Sequence, residues 1–122
     1  MKYVFLIVLS FFLLVSLEQV STAKDLVVLA SWYGSPVLEG ALMANGEPFK
    51  AKDKTIAAHP TLPFGTKLRV KNLDNGRELT VVVKDRGPFK KGRGLDLSKA
   101  AAKKLDYVDK GITKLIVAVL KQ

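Results

Sequence analysis

The 122-residue chain contains no cysteine, which excludes disulfide scaffolds, thiol nucleophiles, iron–sulfur clusters and cysteine zinc sites. It has one histidine, His59, so poly-histidine metal sites are excluded too. No Walker-type glycine loop, G-x-S-x-G or H-E-x-x-H motif occurs, and no segment repeats at a solenoid period. Acidic residues are scarce: 11 Asp+Glu face 20 Lys+Arg, a formal net charge of +9. Such an excess suits an anionic partner, whether a cell-wall polymer, a membrane surface or nucleic acid. The lysines are scattered, so charge alone selects none of the three. What is present, 48% hydrophobic and 25% charged residues, is the composition of a folded domain, and the length allows only one.

The N-terminus reads as an address. Lys2 precedes an apolar run, Tyr3 to Leu17, broken only by Ser10 and Ser16, and a polar stretch ends in Ser21-Thr22-Ala23. The run is shorter than the roughly 20 residues of a transmembrane helix, and Ser21 with Ala23 fits small-x-small cleavage. Residues 1–23 are therefore expected to be a signal peptide cut after Ala23. The mature domain, residues 24–122, is then exported, periplasmic or secreted, without a stable membrane span or a lipid-bearing cysteine. Losing Lys2 and Glu18 leaves its charge at +9.

Leu26 to Trp32 is a β-rich apolar run ended by Gly34-Ser35-Pro36, and residues 34–55, punctuated by Gly40, Asn45-Gly46 and Pro48, read as a long loop. Thr66–Asn72 and Arg77–Lys84 alternate polar and apolar residues around Asp74-Asn75-Gly76, a hairpin pattern. Leu68 and Val70 share one face, and Lys67, Arg69 and Lys71 the other, as a binding stripe or a solvated face. Leu95-Asp96-Leu97 leads into a helix capped by Ser98, with Ala101 and Leu105 facing inward and Asp106-Tyr107 at its end. Thr113 to Lys121 is the last strand. The pattern is strand, long loop, hairpin, short helix, strand: mainly β with one small helix. A closed barrel best protects the edges of so short a chain.

Few residues offer chemistry. Asp85 closes the Val81-Val82-Val83 run before a Gly-Pro turn, where it either caps the turn through Arg86 or a backbone amide, or serves as an acid on a barrel rim. His59, held extended by Pro60, either orients a carboxylate or sugar hydroxyl or is a structural hydrogen-bonder. Glu47 is an exposed turn residue. Trp32 and Tyr33 are strand neighbours and point to opposite faces, so at most one belongs to the core and the other can meet a sugar face.

In order, Ala30-Ser31-Trp32-Tyr33-Gly34, Ala44-Asn45-Gly46-Glu47, Thr55 to Thr66 (with Ala57-Ala58-His59-Pro60), Asn72 to Arg77, Asp85-Arg86-Gly87-Pro88-Phe89 and Leu95-Asp96-Leu97-Ser98 resemble the RlpA (rare lipoprotein A) family from about Ala30 to Leu120. The resemblance implies a six-stranded double-psi β-barrel, related to those of expansins and barwin, with a groove for an extended glycan. It also implies septal, endolytic lytic transglycosylase activity on peptide-stripped peptidoglycan: cleavage between N-acetylmuramic acid and N-acetylglucosamine that leaves 1,6-anhydromuramoyl ends. The family's functional Asp, His and Glu fall on Asp85 (acid/base), His59 and Glu47, with Trp32, Tyr33 and Arg86 assigned to glycan contact. A +9 domain suits the free lactyl carboxylates of stripped strands. No cofactor, metal or nucleic acid is expected, and the protein is expected to be a monomer. The alternative is a non-catalytic, expansin-like wall-binding or wall-loosening module. Its motive is Lys50, which stands where family members commonly carry an acidic residue, with Asp53 as the nearest replacement.

Overall fold

The computed structural model describes residues 25–33 and 38–120. The expected signal peptide, residues 1–23, and the Gly34-Ser35-Pro36 segment lie outside these residues. Six strands and one helix follow in the order β1 (Leu26–Tyr33), β2 (Ile56–Ala58), β3 (Lys67–Asn72), β4 (Glu78–Asp85), β5 (Leu95–Ser98), α1 (Lys99–Lys104) and β6 (Ile112–Val119). The strands close into a barrel ordered β1-β5-β2-β4-β3-β6. Two neighbouring pairs, β1 with β5 and β2 with β4, are parallel, and the other four are antiparallel. Closure leaves no sheet edge, and so small a domain buries its backbone polar groups without disulfides. The architecture is the mainly β, six-stranded barrel with one short helix that the resemblance implied.

Alternation builds the wall. Leu68 and Val70 of β3 are fully buried while Lys67, Arg69 and Lys71 are exposed, as expected of a pleated strand with one dry face. They pack with Ala30, Val81, Val83, Leu95, Leu97 and Leu115 in a single core. Truncating any of these leucines to alanine costs about 2–5 kcal/mol, because the closed wall cannot collapse into the gap. The β3–β4 hairpin turns through Gly76, whose φ of 77° is left-handed and favours glycine.

The helix is capped as its sequence predicts: the Ser98 hydroxyl accepts from the Ala101 amide, and Ala101 and Leu105 are buried. The hairpin closes its other end, since the Asn72 and Asn75 side-chain amides both donate to the Leu105 carbonyl at 2.8 and 2.9 Å. Those bonds satisfy a carbonyl that a helix C-terminus otherwise leaves open.

Two strands escape the sequence pattern. β2 has three residues and β5 four, too few for periodicity to register, so the four-strand order read from pattern is corrected to six. The Thr55–His59 run and the supposed lead-in to the helix are both wall strands.

Candidate active site

A register shift positions the site. β2 and β4 pair Ile56 with Val82 and Ala57 with Val83, but the next pair is Ala58 with Asp85, so Lys84 is skipped. Without this bulge Asp85, two residues beyond the core residue Val83, would point into the barrel. The bulge turns it onto the outer face instead, a use of bulges common beside functional sites.

That outer face carries a polar row. Asp96 pairs with Ser31 across one side of β5 and with Ala58 across the other, and Ala58 pairs with Asp85. Ser31, Asp96, Ala58 and Asp85 therefore lie side by side, with the buried Ala58 between two carboxylates two strand spacings apart, roughly 9–10 Å between Cα atoms.

Each carboxylate has its own environment. Asp85 Oδ1 accepts from the Ala44 and Arg86 backbone amides, both at 2.9 Å, and Oδ2 accepts from the Tyr33 phenol at 3.1 Å. Burial, reinforced by the neighbouring Asp85 charge, pushes the Tyr33 phenol up, so it stays a neutral donor. Asp96 accepts from the Ser31 hydroxyl at 3.0 Å. Burial pushes the Asp96 carboxyl up to about 6, and the charge of Asp85 adds to the effect while Ser31 and Arg93 oppose it. One member of the row is thus an acceptor engaged by three donors, and the other is a carboxyl whose value burial raises toward neutrality.

The loop 38–51 roofs this face. Phe49 is buried with Met43 and Ile56 and lies against the Tyr33 ring, centroids 4.8 Å apart. Backbone bonds from Gly40 to Phe49 and from Phe49 to Ala41, and one from Asn45 to Lys84, hold the loop so that the Ala44 amide meets Asp85.

Trp32 and Tyr33 point to opposite sides of β1. Tyr33 joins Asp85, whereas Trp32 packs on the core, donates its indole N–H to the Val108 carbonyl at 3.0 Å and has the Lys99 ammonium 5.8 Å from its ring. Glu47 meets Asn45 and lies 3.8 Å from the Lys84 ammonium. Lys84 also reaches Asp53 at 4.0 Å, and with Lys50 these groups line a depression of about 150 Å³. Burial favours the neutral form of Asp53, but the Thr55 hydroxyl and amide and the charges of Lys84 and Lys50 outweigh it and hold its carboxyl below the usual range.

His59 meets Asp85 only through the backbone, its amide donating to the Asp85 carbonyl at 3.1 Å. Its Nδ1 accepts from the Thr61 and Leu62 amides, so the ring is neutral with its proton on Nε2. Burial, and then the Arg86 charge, pull it below the usual histidine value. Arg86 donates to the His59 and Leu62 carbonyls and stacks its guanidinium 4.0 Å over Phe64. Of the residues singled out in the sequence, Tyr33 and Asp85 come together side chain to side chain. The Glu47 carboxylate meets Asn45 and Lys84, the His59 ring meets the Thr61 and Leu62 amides, and the Trp32 indole meets Val108. Asp96 was missed, because the four residues of β5 are too few to register as a strand and its pairing with Ser31 and Ala58 is long-range.

Comparison with known proteins agrees with this fold. An endolytic peptidoglycan transglycosylase RlpA of Pseudomonas aeruginosa is 49% identical over 95 residues, covering 78% of this chain and 27% of that protein. A probable endolytic peptidoglycan transglycosylase RlpA of Aquifex aeolicus is 50% identical over 92 residues, covering 75% and 40%. The chain thus spans between about a quarter and two fifths of the length of these relatives. Among solved structures, a Streptomyces papain inhibitor aligns with a TM-score of 0.65 at 24% identity, covering 83% of this chain and 98% of its own. An expansin of Clavibacter michiganensis in complex with cellohexaose aligns at 0.65 and 19%, covering 80% and 51%. These two share the barrel fold. Residues 26–117 match the lytic transglycolase family, and the chain belongs to it.

Proposed function

We propose that the protein is an endolytic lytic transglycosylase that cleaves the bond between N-acetylmuramic acid and N-acetylglucosamine in peptide-stripped peptidoglycan. The observation that carries this reading is the pair Asp85 and Asp96 on one outward row, differently held, with Ala58 between them. Relatives that share about half of the matched residues are named for this activity.

The reaction needs no water. The C6 hydroxyl of the muramic residue attacks its own C1 and the C1–O4 bond breaks, so the O6 proton must leave and O4 must gain one. Asp85, an acceptor held by Tyr33, Ala44 and Arg86, takes the O6 proton. Asp96, whose carboxyl is pushed up to about 6, supplies the proton to O4, and solvent restores both. Tyr33 orients the base. His59 and Arg86 are positioning residues that pin the turn after β2 to the end of β4. Glu47 and Lys84 sit beside the row, where they contact the strand rather than move a proton.

The N-terminal segment supports export to the compartment that holds such a substrate. Digestion of stripped peptidoglycan with the protein tests the reading: anhydromuramoyl ends support it, and binding without product points to a wall-binding module.

A further inference from the structure

A second depression, of about 460 Å³, opens away from the carboxylate row and is lined by Lys52, Lys54, Arg77, Ala100, Lys103 and Lys104. Five of its six lining residues are cations, and none is acidic. They come from three separate pieces of chain: the loop before β2, the β3–β4 turn and the last turn of α1. The assembly is built rather than incidental. The Arg77 guanidinium donates to the Lys104 carbonyl, Asn75 ties the same turn to Leu105, and the Ala100 amide donates to Ala51.

Among the described residues, none of the five joins an ion pair, since the three pairs present involve Lys84 and Lys110. Asp53, between Lys52 and Lys54 in sequence, turns its carboxylate to Thr55 and Lys84 instead. Favourable charge at the helix C-terminus accounts for Lys103 and Lys104. It does not account for Lys52, Lys54 and Arg77 gathered against them, because like charges brought together without a counter-charge oppose folding. An anionic ligand seated in the cleft would relieve that repulsion.

We infer that this cleft is an accessory binding surface for the carboxylate-bearing flank of the same glycan strand that crosses the Asp85–Asp96 row. The inference rests on the proposed function for the strand's identity. Continuity favours it: Lys84 adjoins Asp85, and Lys84, Lys50 and Asp53 line the intervening depression. Residues 50–54 form the ridge between that depression and the basic cleft. A strand leaving the row along Lys84 and over this ridge arrives at Lys52 and Lys54. Its lactyl carboxylates, free only where stem peptides are gone, supply repeated negative charge, so the cleft sets a preference for stripped strands.

The test compares the full protein carrying Asp85→Asn, which prevents turnover, with the same protein also carrying Lys52→Gln, Lys54→Gln, Lys103→Gln and Lys104→Gln. Thermal melts establish that both are folded. Binding is measured on peptide-stripped sacculi and on the same sacculi with carboxylates converted to amides. The expected result is an affinity about tenfold lower for the lysine variant on stripped sacculi at low salt, with a shallower salt dependence. Amidation should cause a matching loss in the parent and little further loss in the variant. Equal binding by both proteins overturns the inference, and so does indifference of the parent to amidation. Loss of binding to polyphosphate without loss on sacculi also overturns it, and assigns the cleft to a phosphate polymer. Product formation by the unsubstituted protein is scored separately: absence of anhydromuramoyl ends removes the proposed reaction, while the binding difference alone decides the cleft.

Discussion

The Tyr33 hydroxyl donates to Asp85 Oδ2 at 3.1 Å across 52 residues of sequence, joining the end of the first strand to the end of the fourth. The bond exists because a bulge after Ala57 turns Asp85 outward and because Phe49 holds the Tyr33 ring against the wall. It makes the phenol an orienting group. Tyr33→Phe should keep the fold, cost about 1 kcal/mol of stability and lower the rate of anhydromuramoyl product formation about tenfold, with little change in glycan affinity. A rate and affinity measured together check this, and an unchanged rate removes Tyr33 from the site.

Asp96→Asn separates chemistry from stability. The amide oxygen can still accept from Ser31, but the group can no longer donate a catalytic proton, so activity should fall by about 10²–10⁴-fold. Stability should move the other way. The carboxyl is pushed from 3.8 to about 6 on folding, so between these values the unfolded chain loses its proton first and folded stability declines as pH rises. At pH 7 the full penalty is present in the parent and absent from the variant. Allowing for the carboxyl's partial exposure, Asp96→Asn should be more stable by about 1–2 kcal/mol at pH 7 and lose most of that advantage near pH 4. Denaturant unfolding at the two pH values reads the difference.

His59 should behave as a positioning residue. Its neutral ring accepts two backbone amides, and its value is lowered by burial and by Arg86. On acidification the unfolded chain therefore takes up its proton first, below about 6.5. The stability His59 contributes is present above that pH and is lost as pH falls through the depressed folded value. His59→Ala should cost about 1–2 kcal/mol at pH 7 and lose this acid sensitivity. His59→Asn, which keeps an acceptor for the turn, should restore part of the stability and of the activity together. Restored stability with activity still at the His59→Ala level would give His59 a direct chemical role.

Much of this was legible in the residues. The hairpin, the Ser98 cap and the first and last strands announce themselves by alternation or capping chemistry, and strand geometry alone set Trp32 and Tyr33 on opposite faces. The closed six-strand count rested on family resemblance, because β2 and β5 are shorter than any period that could reveal them. The bulge left no trace in composition, so the direction of Asp85 was not readable. Asp96 went unnoticed because Leu95-Asp96-Leu97 looked like the approach to a helix, and the pairing with Ser31 and Ala58 that makes it a site residue is a long-range fact.

Lys50 belongs to the Lys84 side of the loop. It shares a depression with Glu47 and Asp53 and helps hold the Asp53 carboxyl low. Lys50→Asp should therefore raise the Asp53 value, readable by NMR titration, while changing the rate of product formation by less than about threefold, since it adds no group to the proton pathway. A large gain in rate would move the catalytic carboxylates toward Glu47.

The most direct measurement is mass spectrometry of peptide-stripped peptidoglycan digested in parallel by the protein and by Asp85→Asn, both confirmed as folded. The proposed reaction predicts 1,6-anhydromuramoyl ends from the former and a loss of at least about 10²-fold in the latter. Equal product from both, or none from either, would contradict the assignment of Asp85 as the base of a transglycosylase.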